Sequence, residues 1–171
     1  MLIRNAVHSD AARLARFAEQ TFRETFAALN RAEDMDLHCS RSYGESLQAA
    51  EISDPRRTTL LAEHTGDLIG YAQLRWGEAP ACVVALRPGE IQRLYVLADW
   101  HGHGVAQELM TASIAEARHR RADAIWLGVW ERNPRALAFY RRCGFVEVGD
   151  HVFPLGNDSQ RDLVMALSLA H

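Results

Sequence analysis

The chain has 171 residues, 48% hydrophobic and 24% charged, which suits one soluble globular domain able to bury a core without staples. Its net charge of −3 gives no electrostatic footprint for nucleic acid. All 19 basic side chains are arginines, which excludes lysine Schiff-base or general-base chemistry and a Walker phosphate loop with its lysine.

Cys39, Cys82 and Cys143 are far apart and show no CxxC spacing. That reads as a reducing, cytoplasmic compartment rather than a disulfide framework. No secretory h-region and no run of 18 apolar residues occurs, so neither export nor a membrane span is expected.

Residues 2–7 (LIRNAV) read as a first strand, and Ser9 or Asp10 can cap the helix that follows. Over 11–29, Leu14, Phe17, Ala18, Phe22 and Phe26 recur at helical spacing. A second helix is expected over 33–50, ended by Asp54-Pro55. Residues 58–77 read as a hairpin turning at Thr65-Gly66-Asp67. Residues 79–89 read as loop, with strand as the alternative. EIQRLYVLA is a strand, 104–121 a helix, and AIWLGVW a buried strand. Asn133-Pro134 opens a helix that Gly144 stops. FVEVGDHVF and DLVMALSL are two final strands. The order predicts an α/β or α+β fold around one sheet, in a single domain over 1–171.

The stretch DWHGHGVAQ carries the first chemical signal. A strand feeds a glycine loop, and the loop feeds a helix. The first N–H groups of a helix lack internal partners, and its dipole makes that end positive. Glycines let backbone approach a bulky anion, so the segment reads as a pyrophosphate site. As a metal site it is poor, because no Cys, His or Asp cluster at ligand spacing joins His101 and His103. A dinucleotide fingerprint would need glycine at position 107, where the chain has Gln107.

His101-Gly102-His103-Gly104-Val105-Ala106 resembles the acetyl-CoA loop of the GNAT acetyltransferases, Gln/Arg-x-x-Gly-x-Gly/Ala, with His in the first position. The spacing Asn133, Ala136, Tyr140, Gly144-Phe145 resembles that family's second signature. The resemblance implies a mixed sheet of about seven strands with helices on both faces, whose fourth and fifth strands splay to admit acetyl-CoA. It also implies roles. Leu94, Tyr95 and Val96 would meet the pantetheine arm, with the Val96 N–H as oxyanion donor. Residues 101–106 would hold the pyrophosphate, and Asn133 would help hold the cofactor. The Tyr140 hydroxyl would lie near the sulfur as the acid, packing being its alternative. Arg135, Arg141 and Arg142 could reach a 3′-phosphate or simply face solvent. Glu90, eleven positions before His101, stands where the histone-type members carry a catalytic glutamate. It is the candidate base, a surface carboxylate being the alternative.

The segments TFRETF, IQRLYVL, IWLGVWERN and GDHVFPLGNDSQRDLVM are similar to those of bacterial spermine/spermidine acetyltransferases. This implies a polyamine acceptor. A polyamine site wants carboxylates and aromatic faces. Glu24, Phe26 and Trp130 are its candidate liners, with Glu33, Asp34 and Phe22 beside them and His151 and Phe153 on the last strands. Another small amine, a peptide amine, and a non-catalytic acetyl-CoA-binding module are the alternatives. Many members are dimers, so the resemblance also implies a homodimer.

Overall fold

The computed structural model describes residues 1–169. Seven strands form one sheet in the order β1-β2-β3-β4-β5-β7-β6. They are β1 (Leu2–Asn5), β2 (Arg57–His64), β3 (Asp67–Trp76), β4 (Pro88–Val96), β5 (Ala124–Trp130), β6 (Val146–Leu155) and β7 (Asp158–Ser168). Only β4 and β5 pair in parallel. Helices α1 (Ala11–Phe26), α2 (Ala32–Ser42) and α3 (Glu45–Ser53) precede β2. Helix α4 (Val105–His119) links β4 to β5, and α5 (Pro134–Arg142) links β5 to β6.

Each face of the sheet has its own core. Leu14, Phe17, Ala18 and Phe22 of α1 bury one helical stripe against Leu61 and Tyr71. Val105, Leu109 and Met110 of α4, with Leu137 of α5, pack on Leu74, Ile91, Leu127 and Met165 on the opposite face. Central β5 is covered on both sides, which explains its nearly unbroken apolar run. The β2–β3 hairpin turns through Thr65 and Gly66 at φ +50° and +91°, the two-residue geometry that matches strand twist.

Three expectations need correction. The helix expected over 33–50 is two helices, broken at Tyr43-Gly44. Tyr43 is buried under Phe22, with the Arg93 guanidinium 5.2 Å from its ring centre, and Gly44 is extended at ψ 151°. Tertiary packing outweighs local propensity there. The last strand starts at Asp158 rather than at 162, because β6 pairs with those polar residues down to Leu155↔Asp158. Helix α1 also stops at Phe26, with a single 3₁₀ turn over Ala27–Leu29.

Strands β4 and β5 splay as expected. They pair only at Pro88↔Ala124, Gly89↔Ile125 and Glu90↔Trp126. Just beyond, β4 carries a bulge: Leu74 of β3 faces Ile91 and Gln73 faces Arg93, leaving Gln92 as the extra residue. A bulge bends its strand and ends regular pairing. Residues Ile91 to Val96 therefore leave β5 and open a wedge in the sheet.

Candidate active site

The wedge widens into a cavity of about 530 Å³. Its donor side is built from β4, the glycine loop and α5. Leu97 N–H donates to Ile69 C=O at 3.0 Å, and Gly70 pairs with Val96. Bonding alternates along an antiparallel pair. Tyr95 and Leu97 therefore turn their main-chain groups toward β3, and Leu94 and Val96 turn theirs into the gap.

Gly102 and Gly104 adopt φ +82° and +81°, the left-handed region that favours glycine. Nothing lies within 4 Å of where their Cβ atoms would stand, so the outer side of the loop is open. Gly104 caps α4, and the free N–H groups of its first turn follow at Val105, Ala106 and Gln107. His101 braces the loop. Its Nε2 lies 3.0 Å from the Val96 carbonyl, and Arg135 Nη1 lies 2.7 Å from its Nδ1. Arginine only donates, which fixes His101 as the tautomer with its proton on Nε2. His103 stands outside the cavity, with Nδ1 3.1 Å from the His101 carbonyl and its ring edge-on to Trp100.

Asn133 caps α5: its Oδ1 accepts from Ala136 N–H at 3.1 Å, and Pro134 occupies the first turn. Tyr140 lies two turns along α5 and lines the cavity, where burial pushes its phenol up to about 12. Arg135 and Arg142 reach the cavity as well. Arg141 points to Glu147 at 4.0 Å, and Cys143 Sγ lies 3.8 Å from the Gln107 side-chain oxygen.

Glu90 sits at the apex of the wedge, 8% exposed. Arg75 Nε donates to its Oε2 at 2.8 Å, and burial nevertheless pushes its carboxyl up. Phe26 and Trp130 meet edge to face with ring centres 6.0 Å apart and line the same cavity, as do Phe22, His151 and Phe153. Glu24 is not part of this space. It opens on a neighbouring recess with Leu29 and Arg132, and Gln20 Nε2 donates to it at 2.8 Å. Glu33 pairs with Arg31, and Asp34 accepts the Asn157 N–H at 2.9 Å. Neither lines the cavity.

Several lining residues escape sequence reasoning, Arg93, Gly128 and Asp162 among them. An isolated glycine inside an apolar strand signals close approach of other atoms, and Gly128 carried that signal. Asp162 carried none. Its setting depends on Trp130 and His151, its partners across β5 and β6.

The side built from β4, the glycine loop and α5 combines a helix start able to hold phosphates, a strand edge able to hold an amide chain, and the half-buried phenol of Tyr140. This is the layout of an acyl-thioester transferase. Residues 13–145 match the model of the acetyltransferase (GNAT) family. An uncharacterized N-acetyltransferase of Mycobacterium bovis is 34% identical over 161 residues, 94% of this chain and 99% of that one. The chain belongs to the GNAT family. It is an N-acetyltransferase whose acyl donor is acetyl-CoA.

A spermine/spermidine N(1)-acetyltransferase of Bacillus subtilis is more distant, at 28% identity over 68% of this chain and 81% of its own. In fold, the chain matches a PaiA N-acetyltransferase of Thermoplasma acidophilum, solved in complex with coenzyme A. The TM-score is 0.76 at 19% identity, covering 98% of each chain. Among the described residues no helix is long and apolar enough to cross a membrane.

The chain's own groups fit the donor. The open, positive-φ glycines and the α4 start suit its pyrophosphate. The turned-out main chain of Leu94 and Val96 suits the pantetheine amides.

Proposed function

We propose that the protein acetylates a primary amine of a small cationic acceptor, with a polyamine such as spermidine or spermine as the leading case. One observation carries this reading. One cavity is lined at once by the glycine loop, by Leu94 and Val96 of the wedge, and by Phe26, Trp130, Phe153 and Asp162. Aromatic faces and a carboxylate attract ammonium groups. The Bacillus subtilis relative supports the polyamine. Two hydrogen bonds beside the cavity tie the β6–β7 hairpin to the segment around α2: Asn157 N–H donates to Asp34, and the Gln160 amide donates to Asn30.

Acetyl-CoA supplies an activated thioester. His101, Gly102, Gly104, Val105 and Ala106, with Leu94, Val96 and Asn133, are proposed to hold it in the wedge; the Tyr95 main chain is turned to β3 and His103 lies outside the cavity, so neither keeps the role the resemblance implied. Tyr140 is the proposed proton donor to sulfur, and its raised pKa keeps the hydroxyl protonated for that task. Glu90 is the base that the family resemblance offers; Arg75 occupies one of its oxygens, so it would act only through water. A cytoplasmic location, consistent with three free cysteines, and a homodimer belong to the same reading.

Thiol release from acetyl-CoA tests it, with spermidine, spermine, phenethylamine, a lysine peptide and a peptide with a free N-terminus as acceptors. Release with the polyamines is expected. Release only with the peptides would overturn the polyamine reading, and release with none of them would overturn acetylation of small amines.

A further inference from the structure

We propose that Asp162, seated against the bare backbone of Gly128 and beside His151, is the group that receives the acceptor's ammonium and takes its proton. The proposal rests on the reading that the acceptor is an amine.

Among the described residues, the buried carboxylates are answered, with one exception. Asp10 meets Arg4 at 2.7 Å, Glu51 meets Arg93 at 2.7 Å and Glu90 meets Arg75 at 2.8 Å. Asp34 accepts a backbone N–H. Asp162 is 8% exposed, and its one ion-pair partner among the described residues is the imidazole of His151, with Nε2 3.9 Å from Oδ2. Removing a carboxylate from water without a cation is costly. A cation arriving from the cavity would offset that cost.

The seat is built. Trp130, Asp162 and His151 are register partners across β5, β7 and β6, so their side chains share one face of the sheet. On β5 the next position on that face is Gly128. A Cβ there would stand 2.7 Å from His151 Nε2 and 3.3 Å from Asp162 Oδ2. A side chain there would push the His151 ring tip away from the strand and crowd Asp162. The rings of Phe26 and Trp130 flank the space and favour an ammonium over an anion.

The charged groups facing the seat leave the role to Asp162. From β4, Glu90 is held by Arg75 and Arg93 by Glu51. From β6, burial pushes the His151 imidazole down, so it sits beside Asp162 without a competing charge near neutrality. Helix α1 presents Phe22, Thr25 and Phe26, and α5 presents Tyr140, Arg135 and Arg142 on the donor side. Burial lifts the Asp162 carboxyl to about 6, a stronger base than an ordinary aspartate.

The protons balance. The ammonium gives one proton to the Asp162 carboxylate and becomes an amine. Its lone pair forms the C–N bond as the C–S bond breaks, and the Tyr140 hydroxyl protonates sulfur. The second nitrogen proton restores the Tyr140 hydroxyl, and Asp162 releases its proton to water. The net products are amide, thiol and one proton.

The test begins without the acyl donor. Spermidine and phenethylamine are titrated calorimetrically into the protein at about pH 5 and about pH 8. Binding at the higher pH should weaken about tenfold or more at the lower pH, and by a similar factor in Asp162→Asn at the higher pH. His151→Gln should retain the pH dependence. With acetyl-CoA present, Asp162→Asn should lower kcat/KM by about 10²-fold and remove the acidic limb of its pH profile. Acetyl-CoA affinity in the variant reports a sound fold. Equal amine binding by wild type and Asp162→Asn, or no binding of either amine, overturns the proposal. Amine binding that needs Asp162, without thiol release from any acceptor, overturns the acetylation reading and leaves the ammonium seat standing.

Discussion

Arg135 Nη1 lies 2.7 Å from His101 Nδ1 while the opposite nitrogen of the same ring reaches the Val96 carbonyl at 3.0 Å. One imidazole thus joins the glycine loop to the wedge strand and to the first turn of α5. His101→Ala removes both bonds, each worth about 1 kcal/mol. Acetyl-CoA affinity should fall about 5- to 30-fold with a smaller change in kcat. Calorimetric titration of acetyl-CoA into the variant checks this, and an unchanged affinity would show that the brace does not shape the loop.

Tyr140→Phe should separate chemistry from binding. If the hydroxyl protonates sulfur, kcat falls about 10²- to 10⁴-fold. The acetyl-CoA dissociation constant should stay within about threefold, since the ring still packs between Phe139 and Phe145. Steady-state kinetics alongside direct binding decide it. Parallel losses in both would assign Tyr140 to packing alone.

Gly104 offers two substitutions with different outcomes. Gly104→Ala places a Cβ in open space but at φ +81°, a strain of about 1–2 kcal/mol. For a chain of this length that lowers Tm by about 2–8 °C, with cofactor binding weakened modestly. Gly104→Glu adds bulk and negative charge at the phosphate seat and should weaken acetyl-CoA binding about tenfold beyond Gly104→Ala. Melting curves and titrations of the pair discriminate them; equal affinities would remove the pyrophosphate from this loop.

Asp162→Asn should stabilise the fold near pH 8. The folded carboxyl is raised to about 6 from 3.8, so the native state holds more protons than the unfolded chain between those values. Stability therefore declines as pH rises through that window and stays reduced above it. Replacing the charge recovers at most about 3 kcal/mol near pH 8 and almost nothing near pH 4. Urea denaturation at both values measures the difference. A variant less stable at pH 8 would mean that the carboxylate has a stabilising partner in solution.

Asp10 titrates with the opposite sign. Hydrogen bonds from Arg4 hold its carboxyl far below the usual range, with a further bond from Val7 N–H, and Arg4 and Arg13 likewise lower Glu63. The stability these groups confer is present above their unfolded values and lost as pH falls below about 4. Asp10→Asn should cost about 2 kcal/mol at pH 7 and flatten the acid limb of the unfolding curve. An unaltered acid limb would place acid sensitivity elsewhere.

Much of this was legible in the chain itself. Gly102 and Gly104 ahead of an apolar-periodic helix, and Asn133-Pro134 opening another, are local features whose physics depends on few neighbours. The break at Tyr43-Gly44 was not legible, because it is set by where the Tyr43 ring is buried. Glu24 and Phe26 stand two positions apart on α1, and two helical steps carry them to different sides of the helix. Phe26 therefore reaches the cavity and Glu24 does not. Asp162 is the sharpest case. In sequence it is one acid among 22, and only the sheet sets it beside Gly128 with no arginine in answer.

The basic side chains around the cavity are Arg93, Arg135 and Arg142, in a chain without lysine. Guanidinium groups keep their protons and offer no lone pair to a thioester. A lysine at any of these positions, once deprotonated, would compete with the incoming amine and turn the enzyme on its own wall. The arginine lining removes that self-acylation route, so an acetyl group placed in the wedge meets no rival side-chain amine there.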